Sequence, residues 1–184
     1  MKELIDLLAK KYEVLESSLN LLLNNMTKVA FENHDVIADS GNDTANYYII
    51  SAGIWRSYRY EDGDEITLWF ERYGDIMYSE IAPTYSIESV GNSEAYMISK
   101  AALDELCLHS HEISNLIRIL IERFYFDITR ASVDFSSQLA KERYLAVLER
   151  DPELFQLVPL KYIASFLGLT PQSLSRIRRE IFSK

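Results

Sequence analysis

Residues 160–181 read LKYIASFLGLTPQSLSRIRREI, and this stretch decides the fold of the C-terminal part of the chain. A helix-turn-helix needs a small residue where its two helices cross, a glycine in the turn and apolar residues between the helices. Ala164 supplies the small residue, and Gly168 stands four residues later, where the backbone favours positive φ. Thr170 is a good N-cap, and Pro171 suits the first position of the second helix. The apolar residues that would lock the helices together are Ile163, Leu167, Leu169, Leu174 and Ile177.

The second of these helices has two chemically distinct sides on a wheel of about 100° per residue. One side is apolar: Leu174, Ile177 and Ile181. The opposite side is polar: Gln172, Arg176 and Arg179, with Ser175 at its edge. Glutamine can address adenine and arginine can address guanine in the major groove, whereas flanking cations favour phosphate. The sequence therefore predicts a DNA-binding set of Lys161, Thr170, Gln172, Ser173, Ser175, Arg176, Arg178 and Arg179.

The charge of the chain is divided unevenly along its 184 residues. Its net charge is −9, which as an average disfavours DNA binding. Residues 136–184, however, contain eight basic and five acidic residues and carry +3, while residues 1–135 carry −12. Only the C-terminal segment is suited to approach a phosphate backbone.

The N-terminal half of the chain changes from helical to strand periodicity. Residues 1–26 have the apolar spacing of a helix and contain no glycine or proline. Short runs rich in β-branched and aromatic residues follow, separated by turn-forming segments, and Asp62-Gly63 is a strong hairpin signal. Seven short strands predict an antiparallel barrel or sandwich, and with the helices they predict an α+β fold. The predicted strands are 29–31, 36–38, 47–50, 54–58, 66–70, 85–87 and 95–98.

A long helix is predicted over residues 110–134, which contain no glycine or proline. A helix of roughly 24 residues is about 36 Å long, more than a small barrel can cover. We therefore favour a homodimer built on this helix over a helix that packs wholly on its own barrel. The predicted dimer interface is Ile113, Ile117, Leu120, Ile121, Phe124, Ile128 and Ala131.

The order of barrel, long helix and helix-turn-helix resembles the Crp/Fnr family of bacterial transcription regulators along essentially the whole chain. The barrel shares the landmarks of residues 47–53 (YYIISAG), 62–65 (DGDE) and 74–75 (GD). The resemblance implies a jelly roll of the cyclic-nucleotide-binding type over 1–109, a dimerisation helix over 110–135 and a (winged) helix-turn-helix domain over 136–184. Any wing is expected within 153–159. The implied protein is a cytoplasmic homodimer that binds double-stranded DNA, with RNA polymerase as a further candidate partner and no membrane association.

The chain departs from that family in its ligand segment. Family members that bind cyclic nucleotides have Arg-Ser or Arg-Thr facing the cyclic phosphate, and alignment back from Ser93 puts Pro83-Thr84 there. No arginine occurs between Arg72 and Arg118, and a buried phosphate without its cation is poorly compensated. Cyclic AMP is therefore not expected as a ligand, and no other cofactor is assigned. An uncharged or apolar effector would have the candidate pocket Met77, Tyr78, Thr84 and Tyr85.

Other function classes fit the sequence less well. A single cysteine, Cys107, excludes an internal disulfide and a four-cysteine iron–sulfur cluster, and the three histidines fit no standard zinc pattern, so no metal site is predicted. Clustered histidines and carboxylates of a cupin-type metalloenzyme are missing, as is a Gly-x-Ser-x-Gly nucleophile, so no catalytic residue is assigned. The open alternative to a DNA-binding regulator is a module that binds a small molecule or protein without binding DNA.

Overall fold

The N-terminal segment forms two helices where the sequence predicts one. The computed structural model describes residues 1–182, with all their side chains except those of Ala131, residues 134–137 and Phe182. Helix α1 spans Lys2–Tyr12 and α2 spans Glu16–Leu23. Glu13 ends α1 in a left-handed conformation with φ of 55°, which turns the chain before α2. The prediction of one helix over 1–26 is wrong at this turn, since helical spacing continues across it.

Six strands follow the two helices: β1 Thr27–Phe31, β2 Val36–Ala38, β3 Asn46–Glu61, β4 Asp64–Arg72, β5 Ile76–Ser79 and β6 Ser86–Ser99. They form one sheet in the order β1-β6-β3-β4, to which β2 is added beside β6 and β5 beside β3. The pairings of β1 and β2 with β6 and of β5 with β3 are antiparallel. The fold class is α+β, with a jelly-roll-like sheet, as predicted.

Two of the observed strands are longer than the sequence predicts. The predicted strands 47–50 and 54–58 are parts of β3, and 85–87 and 95–98 belong largely to β6. Position 53 within β3 requires glycine, because its φ is 83° and a Cβ there would lie 2.5 Å from the Cβ of Ser93. Strand β5 was not predicted, because its residues were assigned to the ligand segment.

Among the described residues, the buried apolar side chains of the sheet and of its neighbouring helices include the following two clusters. One lies inside the sheet and contains Ile37, Ala38, Tyr48, Ile50, Trp55, Met77, Ile87 and Ala95. The other joins the N-terminal helices to later helices and includes Leu4, Leu8, Leu19, Leu23, Leu103, Ile113, Leu116 and Leu120. Lys11 fastens α1 to the turn between β4 and β5, since its ammonium donates to the carbonyl of Gly74 at 3.1 Å and pairs with Asp75 at 2.5 Å.

The remainder of the described chain is helical: α3 Lys100–His109, α4 His111–Ser137, α5 Ala140–Arg150, α6 Leu154–Leu157, α7 Leu160–Phe166 and α8 Pro171–Phe182. The predicted long helix corresponds to α4, and the predicted pair of helices corresponds to α7 and α8. The segment expected to hold any wing contains α6, and no strand follows β6 within residues 1–182.

The chain divides into two compact units. The first contains 1–57 and 70–128, and the second contains 58–69 and 129–184. The outer part of the β3–β4 hairpin therefore belongs with the C-terminal helices. The three-part division predicted from the sequence stays a prediction. Within residues 1–182, no helix is both long enough and apolar enough to cross a membrane.

Candidate nucleic-acid interface

The turn between α7 and α8 has the geometry that the sequence predicts. Gly168 has a φ of 68°, and its N–H donates to the carbonyl of Ser165 at 2.9 Å. The N–H of Leu169 donates to the carbonyl of Ala164 at 2.8 Å, which closes the end of α7. Ala164 is fully buried, so a larger side chain there would push its neighbours apart.

Thr170 caps the second helix. Its Oγ1 accepts a hydrogen bond from the N–H of Ser173 at 3.2 Å, and its carbonyl accepts from the N–H of Leu174 at 3.0 Å. Pro171 occupies the first helical position, where its missing N–H leaves no donor unsatisfied. The N-terminus of α8 is thus held by its own sequence.

Arg143 of α5 holds the turn from the other side, and sequence reasoning did not identify it. Its Nε and Nη2 donate to the carbonyl of Leu167 at 3.2 and 3.0 Å, and its Nη1 donates to the carbonyl of Gln138 at 2.8 Å. A guanidinium at the carbonyl end of a helix satisfies a backbone acceptor that the helix leaves free. Residue spacing relates positions within one helix, so it gave no signal that a side chain on α5 would reach the end of α7.

The polar side of α8 is exposed and faces away from the helix pair. Its four predicted base-reading side chains line one shallow groove together with Pro171: Gln172, Ser175, Arg176 and Arg179. Leu174, on the opposite side, is buried, and Arg178 is half-buried beside the groove. Lys161 is exposed on α7, with its ammonium 4.7 Å from the centre of the Tyr162 ring. The structure thus brings the predicted base-reading set onto one accessible face.

The predicted dimer residues on α4 divide into two groups. Ile113 and Leu120 are 0% and 6% exposed in the single chain, and Ile117 is partly buried against the same core. Ile113 and Leu120 therefore leave a partner almost no area to cover, so their burial speaks against a place in the dimer interface, which itself stays a prediction. Ile121, Phe124 and Ile128 remain 53%, 53% and 50% exposed. The side chain of Ala131 lies outside the described residues.

The four candidate effector residues lie in different surroundings. Met77 is buried in the cluster inside the sheet, and Tyr85 packs against that cluster. Tyr78 follows Met77 along β5, so it points to the other side of the strand, where its ring lies 4.6 Å from that of Tyr47. Thr84 is exposed. The proposed grouping ignored the alternation of β5, because β5 was not predicted.

The surroundings of Tyr85 are acidic. Burial raises the pKa of its phenol, and the carboxylates of Glu80 and Glu71 raise it further. Glu71 is buried and accepts a hydrogen bond from the hydroxyl of Ser57 at 3.4 Å.

A buried ion pair also escaped the sequence reasoning. Arg56 is 1% exposed, and its Nε lies 2.8 Å from Oε1 of Glu88. The sequence shows Arg56 only as one residue of a predicted strand. A charged residue within an otherwise apolar run was the available signal for a buried charge. Its partner could not be read from the same run, because Arg56 belongs to β3 and Glu88 to β6.

Comparison with known proteins finds similar folds among solved structures. No protein-family model matches the chain, and no curated protein matches its sequence. FixK2 from Bradyrhizobium japonicum superposes with a TM-score of 0.72 at 16% identity, over 86% of this chain and 85% of that one. The c-di-GMP-responsive global regulator CLP from Xanthomonas campestris gives 0.69 at 14% identity, over 91% of both chains.

A third structure carries the family's name. A transcriptional regulator of the Crp/Fnr family from Eubacterium rectale, described as putative, gives a TM-score of 0.63 at 17% identity, over 91% of this chain and 83% of that one. Similarity at this level of identity identifies the fold. The chain therefore has the fold of the Crp/Fnr-type transcription regulators.

Proposed function

We propose that this protein is a homodimeric, sequence-specific DNA-binding transcription regulator of the Crp/Fnr type and not an enzyme. The observation that carries the proposal is the exposed face of α8, where Gln172, Ser175, Arg176 and Arg179 stand together opposite the buried Leu174. The cap at Thr170 orders the start of that helix and Arg143 holds the end of α7 before it, both without DNA. A fixed helix loses less entropy on binding, which favours base reading over loose electrostatic attraction.

The distribution of charge along the chain supports the same face of α8 as the DNA-binding surface. Residues 136–184 carry +3 within a chain of −9. An acidic protein is repelled by DNA except where its basic face is presented. Binding should therefore be oriented through α8 and its neighbours, with Lys161 and Arg178 placed to contact phosphates.

The proposed dimer uses the exposed side of α4. Ile121, Phe124 and Ile128 follow the three- and four-residue spacing of a coiled-coil seam, and Ile117 continues that spacing toward the N-terminus. Each of the first three keeps about half of its side chain exposed. A second copy of α4 is the partner that this self-complementary spacing fits best, since a two-fold axis along the seam brings like residues together.

The effector of the sheet domain is proposed to be uncharged or apolar, unless sensing has been lost. Pro83 stands where the resemblance places the phosphate-binding arginine. A cyclic nucleotide would have to bury its phosphate without the cation that this arginine supplies.

The direct test is selection of DNA from a random library by the purified full-length chain. A dimer that places two copies of α8 about 34 Å apart should enrich a two-fold symmetric site. The matched variant is Gln172→Ala/Arg176→Ala, which leaves the cap and the buried side of α8 unchanged. This variant should no longer enrich the two-fold symmetric site. If the wild-type chain enriches no sequence, the module without DNA-binding activity becomes the better description.

A further inference from the structure

The first turn of α5 holds both polar groups of the peptide bond between Gln138 and Leu139. The carbonyl of Gln138 accepts a hydrogen bond from Nη1 of Arg143 at 2.8 Å. The N–H of Leu139 donates one to the carboxylate of Glu142 at 2.7 Å. Gln138 and Leu139 are the two residues that connect α4 to α5. Because a peptide bond is planar, bonds to both of its polar groups fix this connection against α5.

The same guanidinium reaches the end of α7. Nε and Nη2 of Arg143 donate to the carbonyl of Leu167 at 3.2 and 3.0 Å. Leu167 is 1% exposed, so water cannot replace these donors without local opening. Only Gly168, Leu169 and Thr170 separate Leu167 from the first residue of α8. Arg143 thus joins the connection that follows α4 to the turn that precedes α8.

This bridge lies within one compact unit of the chain. Residues 129–184 include the last turns of α4, all of α5 and both helices of the helix-turn-helix. Helix α4 is continuous over His111–Ser137, so the helix that carries the proposed dimer seam leads directly into the bridged connection. The donors of a guanidinium form a rigid planar fork, which leaves little freedom in the distance between the two carbonyls that it joins.

We propose that Arg143 is a positioning residue that sets which spacing of DNA half-sites the dimer accepts. This inference rests on the DNA-binding function and the dimer proposed above. Each copy of α8 reads one half-site, and the two copies are connected through α4, so their separation depends on how α8 is held relative to the end of α4. One added base pair moves a half-site by about 3.4 Å along the DNA and turns it by about 34°. Base-reading hydrogen bonds do not survive a displacement of that size unless α8 can follow it.

Three variants separate the bridge from the charge. Arg143→Ala removes all three hydrogen bonds of the guanidinium. Arg143→Lys keeps the positive charge, but one ammonium cannot reproduce the planar fork that joins both carbonyls. The matched control is Arg150→Ala, which removes the same charge from an exposed position in the last turn of the same helix.

The measurement is the affinity of each full-length protein for three DNAs by fluorescence anisotropy: the selected two-fold site, the same half-sites moved apart by one base pair, and a single half-site. We expect wild type and Arg150→Ala to prefer the selected spacing by about tenfold or more, and both Arg143 variants to prefer it by less than about threefold. The affinity of the Arg143 variants for the single half-site should fall by no more than about threefold, because the exposed groups of α8 are unchanged. Thermal unfolding tests whether each variant folds.

The outcomes distinguish this inference from the function on which it rests. If wild type binds its selected site and both Arg143 variants keep the wild-type preference for spacing, the positioning role is refuted and the proposed function stands. An equal loss of affinity for all three DNAs would show that Arg143 only supports the fold of the helix pair, and an equal loss of preference in Arg150→Ala would show an effect of charge; either result also refutes the positioning role. If Arg143→Ala does not fold, the spacing preference of Arg143→Lys decides. If wild type selects no DNA site, the proposed function fails and takes this inference with it.

Discussion

Replacing Ile121 and Phe124 on α4 with glutamate should convert the proposed dimer into a folded monomer. The two side chains are each 53% exposed and contribute little to the core of the single chain. Fully burying a large apolar side chain stabilises by about 1.5–3 kcal/mol, so covering the remaining half is worth about 0.8–1.5 kcal/mol. A dimer contains four of these side chains, and their loss removes about 3–6 kcal/mol of association free energy. That change weakens the dimer by roughly 10²- to 10⁴-fold, before any repulsion between the new carboxylates.

Sedimentation equilibrium over a range of protein concentrations measures this change, and thermal unfolding confirms that the variant folds. Phe126→Glu is the matched control for the single substitution Phe124→Glu. Phe126 is 60% exposed and has the same chemistry, yet it lies about 200° away from Phe124 on the helix wheel. We expect Phe124→Glu to weaken the dimer at least about tenfold and Phe126→Glu to leave it within about twofold.

Either of two results would refute the reasoning. A wild-type chain that is monomeric at micromolar concentration would remove the dimer altogether. A dimer broken by Phe126→Glu and not by Phe124→Glu would place the seam on the opposite side of α4. Ile113 and Leu120 are unsuitable for this test, because charges there would unfold the core of the single chain.

Three further predictions concern the proposed interface and the ligand segment. Arg176→Ala should cost about 1–3 kcal/mol of binding free energy on the best DNA site and relax the preference at one base pair. Arg178→Ala should weaken binding to all sequences alike and lower the slope of log affinity against log salt concentration by about one. Anisotropy titrations measure both, and unchanged binding by both variants would contradict the assignment of the DNA-binding face of α8. Thr170→Ala should lower the free energy of unfolding by about 1 kcal/mol in urea, because it removes the acceptor for the N–H of Ser173, and Thr170→Ser, which keeps that acceptor, should lose much less. Cyclic AMP should give no calorimetric binding at micromolar concentration, since Pro83 offers no cation; a micromolar dissociation constant would show that the alignment of this segment is wrong.

The helix-turn-helix could be predicted from the sequence because its determinants are local. The positive φ of Gly168, the cap at Thr170 and the small Ala164 all act within one short segment of the chain. Local backbone requirements leave a readable residue pattern. The apolar side of α8 likewise follows from spacing alone.

The errors arise where contacts over long distances in the chain decide the structure. The burial of Ile113 and Leu120 depends on which helices pack against α4, and an apolar stripe does not say whether its partner is the same chain or another. The residues of β5 were assigned to the ligand segment, and the strand gains its hydrogen bonds from β3, which is separated from it in the chain by the whole of β4. The pairing of Arg56 with Glu88 joins distant segments too, as do the hydrogen bonds of the Ser165 hydroxyl on α7 with the N–H of Thr67 and the carbonyl of Glu65 on β4. No periodicity encodes either set of contacts.

On the proposed DNA-binding function, the charge distribution favours specificity that comes from an ordered α8. With only +3 over residues 136–184 and −12 over the rest, the chain has little nonspecific attraction for DNA on which to rely. Base contacts must then supply a large share of the binding free energy, and they do so only if α8 is already in place. Thr170 and Arg143 order both sides of the turn at the start of α8 through bonds made without DNA.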